Sequence, residues 1–598
     1  MGSAQFPDIP AYSENDPRFK KARQRMNDGS ETEVVYRKGA PGRSREEIAA
    51  SRAAGRYISS FCFSAPLDHR TFDVARDIVC MRDEEVTLRD GVKIYADIYL
   101  PKNAGPVPLI VSWWFGGKRQ SEGEYEWVVA GCPPGSVSEW TKFEAADPAY
   151  WCRCGYAVAN VDPRGVGNSE GDVSMFGLTD GRDGCDFIEW AAKQDWCSGD
   201  VALFGCAGVA MTVWRIAAEK PEHLRCIAVW EGSGDLYREY VTNGGIPAPY
   251  FAEGALVGIA TGGFVEDLPN MLAQHPLMDA YWESGIPRWD NIDVPAYVTA
   301  GWCASHVRGA FEGFRRIAST RKWLRAHRGA EWPDAYSPDN LRDLRDFFDR
   351  WLRDVRNGWE FTPAVRLEVM DAYDFDMDPC RKEAAFPIER TEYRKLYLDA
   401  ASGRASAEPV PTASELEYDP ASGTAVFDYE FSEEIELTGY MKLRLWVECR
   451  GHDNMDLFVW IKKYDENGEY VPLLCMDEEY RGAPGWMRVR HRALDESLST
   501  DFDPVQAHRR DEPMEPGAIY PVDVEIWPHS RVWHKGEHLR VEITGEFVRT
   551  KRNQDFLMRY ITDNGAGRHV IHTGGEYESY LQIPAIPPRY RGGGRIVR

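Results

Sequence analysis

The feature of this sequence that most constrains its fold is a change of pattern near residue 362. Before that point, short apolar runs such as "VPLIVSWW", "DVALFG" and "CIAVWEG" alternate with stretches of helical periodicity. Such alternation is typical of a mostly parallel sheet with helices on both faces. Beyond it, short segments of alternating polar and apolar residues follow one another between turn signals. The chain is therefore predicted to contain an α/β core followed by a β sandwich or jelly roll.

The length of 598 residues also requires more than one hydrophobic core, since single cores stop growing at about 250–300 residues. The N-terminal stretch is polar and lacks a periodic apolar pattern. The alternation stops between about Leu236 and Trp289, where a segment rich in glycine, proline and aromatic residues is typical of an inserted lid. We predict an N-terminal extension (1–75), an α/β core in two parts (76–235 and 290–362), a helical lid (236–289) and a β jelly-roll domain (363–598).

Composition narrows the partners and the compartment. The formal net charge of −24 argues against nucleic acid and anionic membrane surfaces, because binding phosphates needs clustered lysine and arginine. No apolar run reaches the roughly 18 residues of a membrane span, and the N-terminus lacks the apolar region of a signal peptide. The 13 cysteines are an odd number without paired spacing, which favours reduced thiols in the cytoplasm. Cys152 and Cys154 lack a second ligand pair at a matching distance, so no metal and no other cofactor are expected.

The stretch "DVALFGCAGVAM", residues 200–211, runs from an apolar strand through a glycine-bracketed turn into a helix. This is the pattern of a nucleophile elbow, in which the third residue of G-x-S-x-G presents a hydroxyl group to the substrate. Here that residue is Ala207, which cannot accept an acyl group. Cys206 offers a thiol, but it stands one place before the apex, so packing is the favoured interpretation for it.

Longer blocks of sequence resemble the family of cocaine esterase and X-Pro dipeptidyl-peptidase, most closely its fungal-type members. The matching blocks include "FEAADPAYWCRCGYAVANVDPRGVGNSEGD", "RDGCDFIEWAAKQDWC", "GAFEGFRRI" and "HVIHTGGEYESYL", and they run from about residue 85 to the C-terminus. The resemblance implies an α/β-hydrolase core with an inserted helical lid and a C-terminal jelly roll. It also implies hydrolysis of esters or peptide-type amides by a Ser–His–Asp triad, with a tyrosine hydroxyl and a backbone N–H forming the oxyanion hole.

Carried over to this chain, the resemblance places most of that machinery on residues that cannot perform it. The nucleophile position is Ala207, the oxyanion-binding tyrosine is replaced by Gly116, and the acid position falls on Ala304. The histidine position is kept as His327, which can still act as a general base or acid. His306, in the loop of Ala304, is a second candidate catalytic histidine, for which a structural role is the alternative. The resemblance therefore implies a member with a degenerate triad.

The pocket around the elbow is expected to be roomy. Gly116 and Gly208 stand where the family has tyrosine and tryptophan, and each missing ring removes about 150–250 Å² of buried surface. Such a pocket suits a bulky hydrophobic molecule, although packing is the alternative role for its aromatic residues. Glu231 and Asp235 are expected to cap the first turn of the lid. The predicted lining consists of Trp113, Trp114, Cys206, Gly208, Trp230, Tyr237, Trp302 and Cys303.

These observations favour a hydrolase-fold enzyme repurposed for cyclisation, cycloaddition, isomerisation or elimination of a hydrophobic molecule in secondary-metabolite biosynthesis. A shaped pocket with little water and one base such as His327 supplies enough machinery for such a step. Two alternatives stay open: a serine ester or amide hydrolase in the form of a Ser-to-Ala variant, and a non-catalytic ligand-binding protein. The expected partner is a hydrophobic small molecule, without nucleic acid or membrane, and a homo-oligomer is among the expected states.

Overall fold

The N-terminal segment is joined to the helical insertion by a small sheet. The structure is a computed structural model, and it describes residues 6–54, 63–119, 127, 130–475, 478–548 and 559–587. The segment forms strands β1 (Phe19–Arg25) and β2 (Glu31–Lys38) and helix α1 (Arg45–Ala53). β1 pairs antiparallel with β2, and β2 pairs antiparallel with residues 264–266 of the insertion. The extension is therefore part of the folded body.

The first part of the core builds most of a parallel sheet. Its strands are β3 (Arg70–Ala75), β4 (Ile78–Thr87), β5 (Lys93–Pro101), β6 (Val107–Trp113), β7 (Ala157–Asp162), β8 (Cys197–Cys206) and β9 (Leu224–Trp230). Its helices are α2 (Pro148–Arg153), α3 (Leu178–Ala191) and α4 (Ala207–Ala218). β6, β7, β8 and β9 pair in parallel, whereas β3, β4 and β5 extend the sheet antiparallel through β7. The central strands are apolar on both faces because both faces are covered.

The insertion between β9 and the next core strand consists of short helices and strands and is largely buried. It begins with a π-helical turn, Tyr237–Val241, and closes with a 3₁₀ turn, Trp289–Asn291. Between them lie β10 (Thr242–Asn243), β11 (Ile246–Pro247), α5 (Pro249–Gly258), β12 (Phe264–Glu266), α6 (Leu268–Gln274) and α7 (Ala280–Gly285).

The second part of the core completes the sheet. It contains β13 (Ala296–Gly301), α8 (Val307–Arg316), β14 (Lys322–His327), α9 (Glu331–Ala335), α10 (Pro338–Leu352) and a 3₁₀ turn, Trp359–Phe361. β13 lies between β9 and β14, all in parallel. The strand order across the sheet is therefore β4-β5-β7-β6-β8-β9-β13-β14. In this order the carboxyl ends of β8, β9, β13 and β14 lie side by side.

The C-terminal unit is largely β and antiparallel. Its longest strands pair along most of their length, from Ile435 opposite Trp533 to Glu448 opposite Ile519, and enclose a separate apolar core. Its first strand pairs with β14, so the sheet of the core continues into this unit. No helix among the described residues has the length and apolar character needed to cross a membrane. The strands are β15 (Val365–Ala372), β16 (Phe375–Glu383), β17 (Glu392–Asp399), β18 (Arg404–Ser406), β19 (Ser414–Tyr418), β20 (Thr424–Glu430), β21 (Ile435–Arg450), β22 (Asp456–Tyr464), β23 (Leu473–Cys475), β24 (Glu478–Tyr480), β25 (Ala483–Arg488), β26 (Ile519–Trp533), β27 (His538–Thr544), β28 (Arg568–Thr573) and β29 (Tyr580–Ala585), with a 3₁₀ turn at Val489–His491.

Candidate active site

The turn in "DVALFGCAGVAM" joins β8 to α4 at the carboxyl edge of the parallel sheet. Ala207 begins α4 with a φ of +43°, in the left-handed region that L-residues rarely adopt. Gly205 permits the sharp turn, because a Cβ at that position would lie 2.2 Å from Cγ1 of Val209. Strained backbone of this kind clusters at functional sites. The apex that would present a nucleophile is present in shape, with a methyl group in place of a hydroxyl group.

The same edge of the sheet places a carboxyl group beside this apex and a histidine in contact with that carboxyl group. The register pairs Cys206 of β8 with Trp230 of β9, so Glu231 stands beside Ala207 at the ends of adjacent strands. β14 ends at His327. The Nε2 atom of His327 lies 3.0 Å from Oε1 of Glu231, and both side chains are buried. The predicted histidine therefore has an acidic partner, although not from the predicted position.

The backbone around Glu231 fixes its carboxyl group. Glu231 itself has a φ of +61°. A Cβ on Gly301, at the end of β13, would lie 2.5 Å from Oε2 of Glu231, so only glycine leaves room for the carboxyl group there. Burial raises the pKa of Glu231 well above its usual range, and the nearby Glu331 and Asp334 raise it further. The carboxyl group of Glu231 therefore favours its protonated form at neutral pH.

His327 has a second acidic neighbour, Asp334, whose Oδ2 lies 3.4 Å from Nε2. Burial lowers the pKa of His327 to about 4, so the imidazole is neutral at pH 7. Burial also opposes ionisation of Asp334, but the guanidinium of Arg325 binds its carboxylate and holds its pKa below the usual range. The indole Nε1 of Trp230 donates a further hydrogen bond of 2.7 Å to Oδ2. A neutral imidazole beside a charged carboxylate can accept a proton and be stabilised as imidazolium.

A second buried carboxyl group, that of Glu144 in the loop before α2, also reaches the elbow. Its Oε2 accepts a hydrogen bond of 3.4 Å from the backbone N–H of Val209 and lies beside Gly208, where an added Cβ would be 3.2 Å away. Its Oε1 accepts a hydrogen bond of 3.1 Å from the indole Nε1 of Trp332. Burial raises the pKa of Glu144 to about 8, and Glu331 adds to the shift. Like Ala207, Glu144 has a left-handed φ, of +66°.

The space expected beside the elbow is filled by Trp114. A Cβ on Gly116 would lie 2.2 Å from Cζ3 of the Trp114 indole, and a Cβ on Gly208 would lie 2.6 Å from its Nε1. The indole is itself surrounded by aromatic rings, with the centroid of Phe115 5.0 Å away and that of Phe143 6.4 Å away. The prediction that the two glycines enlarge the pocket is wrong, because the indole occupies the volume that larger side chains would have taken.

A cavity of about 100 Å³ lies between the insertion, the loop after β13 and the C-terminal unit. Cys303 and Ala304 line it. Since Cys303 follows Gly301 by two residues, its backbone lies within about 7 Å of the glycine that supports Glu231. The cavity therefore lies at the carboxyl edge of the sheet, where β13 ends next to Glu231. Its aromatic lining includes Tyr240, Phe251, Trp460, Trp486, Trp527 and Phe547.

Of the eight residues predicted to line a pocket, Cys303 alone lies on this cavity. Four others surround the elbow or the His327 site instead: Trp114, Cys206, Gly208 and Trp230. Cys206 is fully buried, and burial raises the pKa of its thiol well above the usual range, which removes its thiolate. The remaining three, Trp113, Tyr237 and Trp302, donate hydrogen bonds to groups inside the protein and act as packing residues.

The second predicted histidine lies on the cavity and not at the elbow. His306 precedes α8, and its Nδ1 lies 2.7 Å from Oγ of Ser233. Burial lowers the pKa of His306 to about 4, so it too is neutral at pH 7. The expected cap of the insertion is formed by Asp235, whose Oδ1 accepts a hydrogen bond from the backbone N–H of Arg238 at 3.0 Å. The same expectation for Glu231 is wrong, because its side chain faces His327.

The sequence contains a signal for Glu231 as a site residue but none for Glu144. Glu231 follows an apolar strand directly, at the edge where Ala207 and His327 were placed, and that position was a usable signal. Glu144 has no such signal, because it precedes α2 in a loop whose path depends on the whole fold.

A strand-to-helix elbow beside a histidine and acidic groups, at the carboxyl edge of a parallel sheet, defines a hydrolase site of the nucleophile-elbow class. Residues 90–263 match the family X-Pro dipeptidyl-peptidase (S15 family), and residues 357–582 match the X-Pro dipeptidyl-peptidase C-terminal non-catalytic domain. A CocE/NonD family hydrolase from Staphylococcus aureus is 32% identical, with a TM-score of 0.81 over 89% of this chain and 98% of that structure. This chain belongs to the CocE/NonD hydrolase family.

The chain is also similar to a curated esterase and shares its fold with a further solved structure. The cocaine esterase of Rhodococcus sp. (strain MB1 Bresler) is 24% identical over 84% of this chain and 97% of its own length. An alpha-amino acid ester hydrolase, 18% identical, shares the fold with a TM-score of 0.62 over 87% of this chain and 99% of its own. These relatives do not bear on a fungal-type origin, which stays a prediction, as does the cytoplasmic location.

The comparisons overturn the predicted activity. The family consists of hydrolases, and its members include an esterase. The prediction of a non-hydrolytic cyclase, isomerase or lyase in secondary-metabolite biosynthesis is therefore wrong. It gave too much weight to the substitutions at Ala207, Gly116 and Ala304 and too little to the surrounding scaffold.

Proposed function

We propose that this protein is an ester or amide hydrolase scaffold in which residue 207 is the nucleophile position. The observation that carries the proposal is the elbow itself. Ala207 has a φ of +43°, a strained conformation that alanine rarely adopts. An elbow of this shape serves to expose the side chain at its apex to a substrate. The family to which the chain belongs supports the same class of reaction.

The sequence with Ala207 represents the form of this site that lacks the attacking oxygen. In that form the site binds an acyl substrate without forming an acyl-enzyme. A serine at this position would restore the missing attacking oxygen. His327, neutral because of burial, would take the proton of the hydroxyl group, and the charge of Asp334 would stabilise the imidazolium. Glu231 and Asp334 would thereby take the role of the acid that the resemblance placed at Ala304.

The cavity at the carboxyl edge of the sheet indicates which class of ester or amide the site would accept. Its lining is predominantly aromatic, and His306, the histidine that faces it, is held neutral by burial. An ester or amide with a bulky apolar group on one side of the scissile bond would place that group there. We infer that such substrates are preferred over short aliphatic esters.

We further propose an α/β-hydrolase core with an inserted lid and a C-terminal jelly roll. The strand order β4-β5-β7-β6-β8-β9-β13-β14, with the elbow after β8 and the histidine after β14, supports an α/β-hydrolase core with an inserted lid. The antiparallel pairing of β21 with β26, β28 and β29, together with a separate apolar core, supports a jelly roll for the C-terminal unit.

The test is the variant Ala207→Ser, assayed on nitrophenyl esters with short aliphatic and with aromatic acyl groups. We expect hydrolysis at least about a thousandfold faster than that of the parent, since a serine nucleophile accounts for several powers of ten in such enzymes. The aromatic esters should have the higher kcat/KM. The matched control is the double variant Ala207→Ser with His327→Ala, which should lose most of the gain.

The absence of a hydroxyl group at Ala207 also favours a second candidate, a non-catalytic ligand-binding protein. If the folded Ala207→Ser variant hydrolyses no ester or amide while the parent binds apolar acyl compounds tightly, the hydrolase proposal fails and this second candidate replaces it.

A further inference from the structure

The backbone amides at the start of α4 are already occupied by a side chain of this protein. Two donors converge on the carboxyl group of Glu144, the backbone N–H of Val209 at 3.4 Å and the indole Nε1 of Trp332 at 3.1 Å, and its Oε2 lies beside Gly208. α4 has no capping side chain of its own, since Cys206 precedes it without a side-chain hydrogen bond. The first amides of a helix and its dipole favour an anionic or strongly accepting oxygen. Glu144 supplies that oxygen from another segment.

The location of these amides identifies what they would otherwise bind. The N–H group that follows the apex of an elbow is a donor to the acyl oxygen of the substrate. In this chain that donor belongs to Gly208. A Cβ on Gly208 would lie 3.2 Å from Oε2 of Glu144, so the carboxyl group touches the residue next to the apex. A substrate carbonyl oxygen and this carboxyl oxygen therefore compete for the same donors.

The rest of Glu144 is anchored independently of its carboxyl group. Its backbone carbonyl accepts a hydrogen bond of 3.0 Å from the backbone N–H of Cys206, which ties the loop to the elbow. Its φ of +66° is one that glycine adopts without strain. Rotation of the side chain alone would thus clear the donors while the loop stays in place. Among acidic residues with a left-handed φ, Asp354 at the end of α10 offers an exposed comparison.

We propose that Gly208, Val209 and Trp332 form a binding site for an acyl oxygen or a carboxylate, and that Glu144 fills this site until a ligand displaces its side chain. For an acyl ligand the inference rests on the proposed hydrolase function. For a carboxylate, the product of ester or amide hydrolysis, it does not. Glu144 is then a residue that limits access of substrate to the apex and competes with the acid product.

The first experiment uses formate as the probe and the full-length chain as it is, with Ala207. The variant Glu144→Gly empties the donors and suits the backbone conformation at that position. Formate is titrated calorimetrically. We expect saturable binding at least about tenfold tighter than to the parent. The control Asp354→Gly, the same kind of change at a φ of +52°, should bind formate no better than the parent.

Formate binding to Glu144→Gly that is no tighter than to the parent overturns the proposal. If the glycine variant does not fold, Glu144→Ala carries the same test with the same expected and opposing results.

The second experiment separates this inference from the proposed function. We compare ester hydrolysis by Ala207→Ser with that by Ala207→Ser combined with Glu144→Gly, and we expect kcat/KM to rise at least about tenfold in the double variant. Formate binding without any hydrolysis supports the inference and contradicts the hydrolase proposal. Hydrolysis by Ala207→Ser that is unchanged or lowered by removal of Glu144, with no gain in formate binding, supports the hydrolase and contradicts the inference.

Discussion

At the scale of single residues, burial decides which groups of this site carry charge. Glu144 and Glu231 have pKa values raised by burial, whereas His327 has a pKa lowered by it. All three therefore favour their neutral forms near pH 7, and Asp334, held ionised by Arg325, is the charged acid of the site. The backbone is left-handed at Glu144, Ala207 and Glu231, three residues at or near the elbow.

The first residue-scale prediction concerns Gly301. A methyl group there would lie 2.5 Å from Oε2 of the buried Glu231, so Gly301→Ala should displace that carboxyl group from His327. Overpacking of this kind costs about 1–3 kcal/mol in the free energy of unfolding, measured by urea titration. Gly262→Ala is the matched control, since nothing lies within 4 Å of its added methyl group. Equal stabilities for the two variants would refute the assigned contact.

At the scale of secondary-structure elements, strand register assembles the site. Cys206 is opposite Trp230, and Gly301 is opposite His327, so the residues at or just after four parallel strand ends meet at one edge. A shift of one residue in any of these strands would turn Glu231 or His327 to the other face of the sheet. The same edge starts α8, whose first turn follows His306.

Replacement of His306 tests the electrostatics at the start of α8. Its pKa in the folded protein, about 4, lies below the 6.5 of an exposed histidine, so the unfolded chain binds a proton first as the pH falls. The neutral form thus contributes stability above pH 6.5 that is lost progressively down to pH 4. His306→Asn, which does not titrate, should gain stability relative to the parent by about 2–3 kcal/mol over that interval. Denaturant unfolding at several pH values measures this, and a constant difference between the two proteins would contradict the buried neutral histidine.

At the scale of the whole molecule, the core, the insertion and the C-terminal unit are held together by buried ion pairs near the cavity. Arg308 of α8 donates hydrogen bonds of 2.7 Å to Glu239 of the insertion and of 2.7 Å to Glu525 of β26. All three side chains are largely buried. One arginine therefore connects three parts of the chain that the sequence separates widely.

Removal of this connection should be costly. Arg308→Ala leaves the buried carboxyl groups of Glu239 and Glu525 without their cation, and breaking a buried pair in this way costs about 3–5 kcal/mol. In calorimetry, the first thermal unfolding transition should occur at a lower temperature than in the parent. Arg288→Ala breaks an exposed pair with Glu219 and should change stability by less than about 1 kcal/mol. Similar losses in both variants would show that the interface does not depend on Arg308.

Much of this organisation was predictable from local pattern. The strand, turn and helix around Ala207 and the change to β structure near residue 362 are present in the structure. The apolar spacing in "PDNLRDLRDFFDRWL" also predicts a helix, and in α10 its apolar residues Leu341, Leu344, Phe347, Phe348 and Leu352 are buried. His327 was placed correctly at the end of a strand by family resemblance. The function was not predictable from Ala207, because one side chain does not define what a scaffold of nearly 600 residues binds.

The sequence by itself determined the order and type of the elements, because hydrophobic periodicity and glycine-bounded turns act over a few residues at a time. Only the tertiary structure decided what surrounds the apex. Trp114 occupies the space left by two glycines, and Glu144 occupies the amides at the start of α4. Both outcomes depend on how side chains distant in the chain compete for one volume and one set of hydrogen-bond donors. That competition is settled by packing in three dimensions, and no local pattern records it.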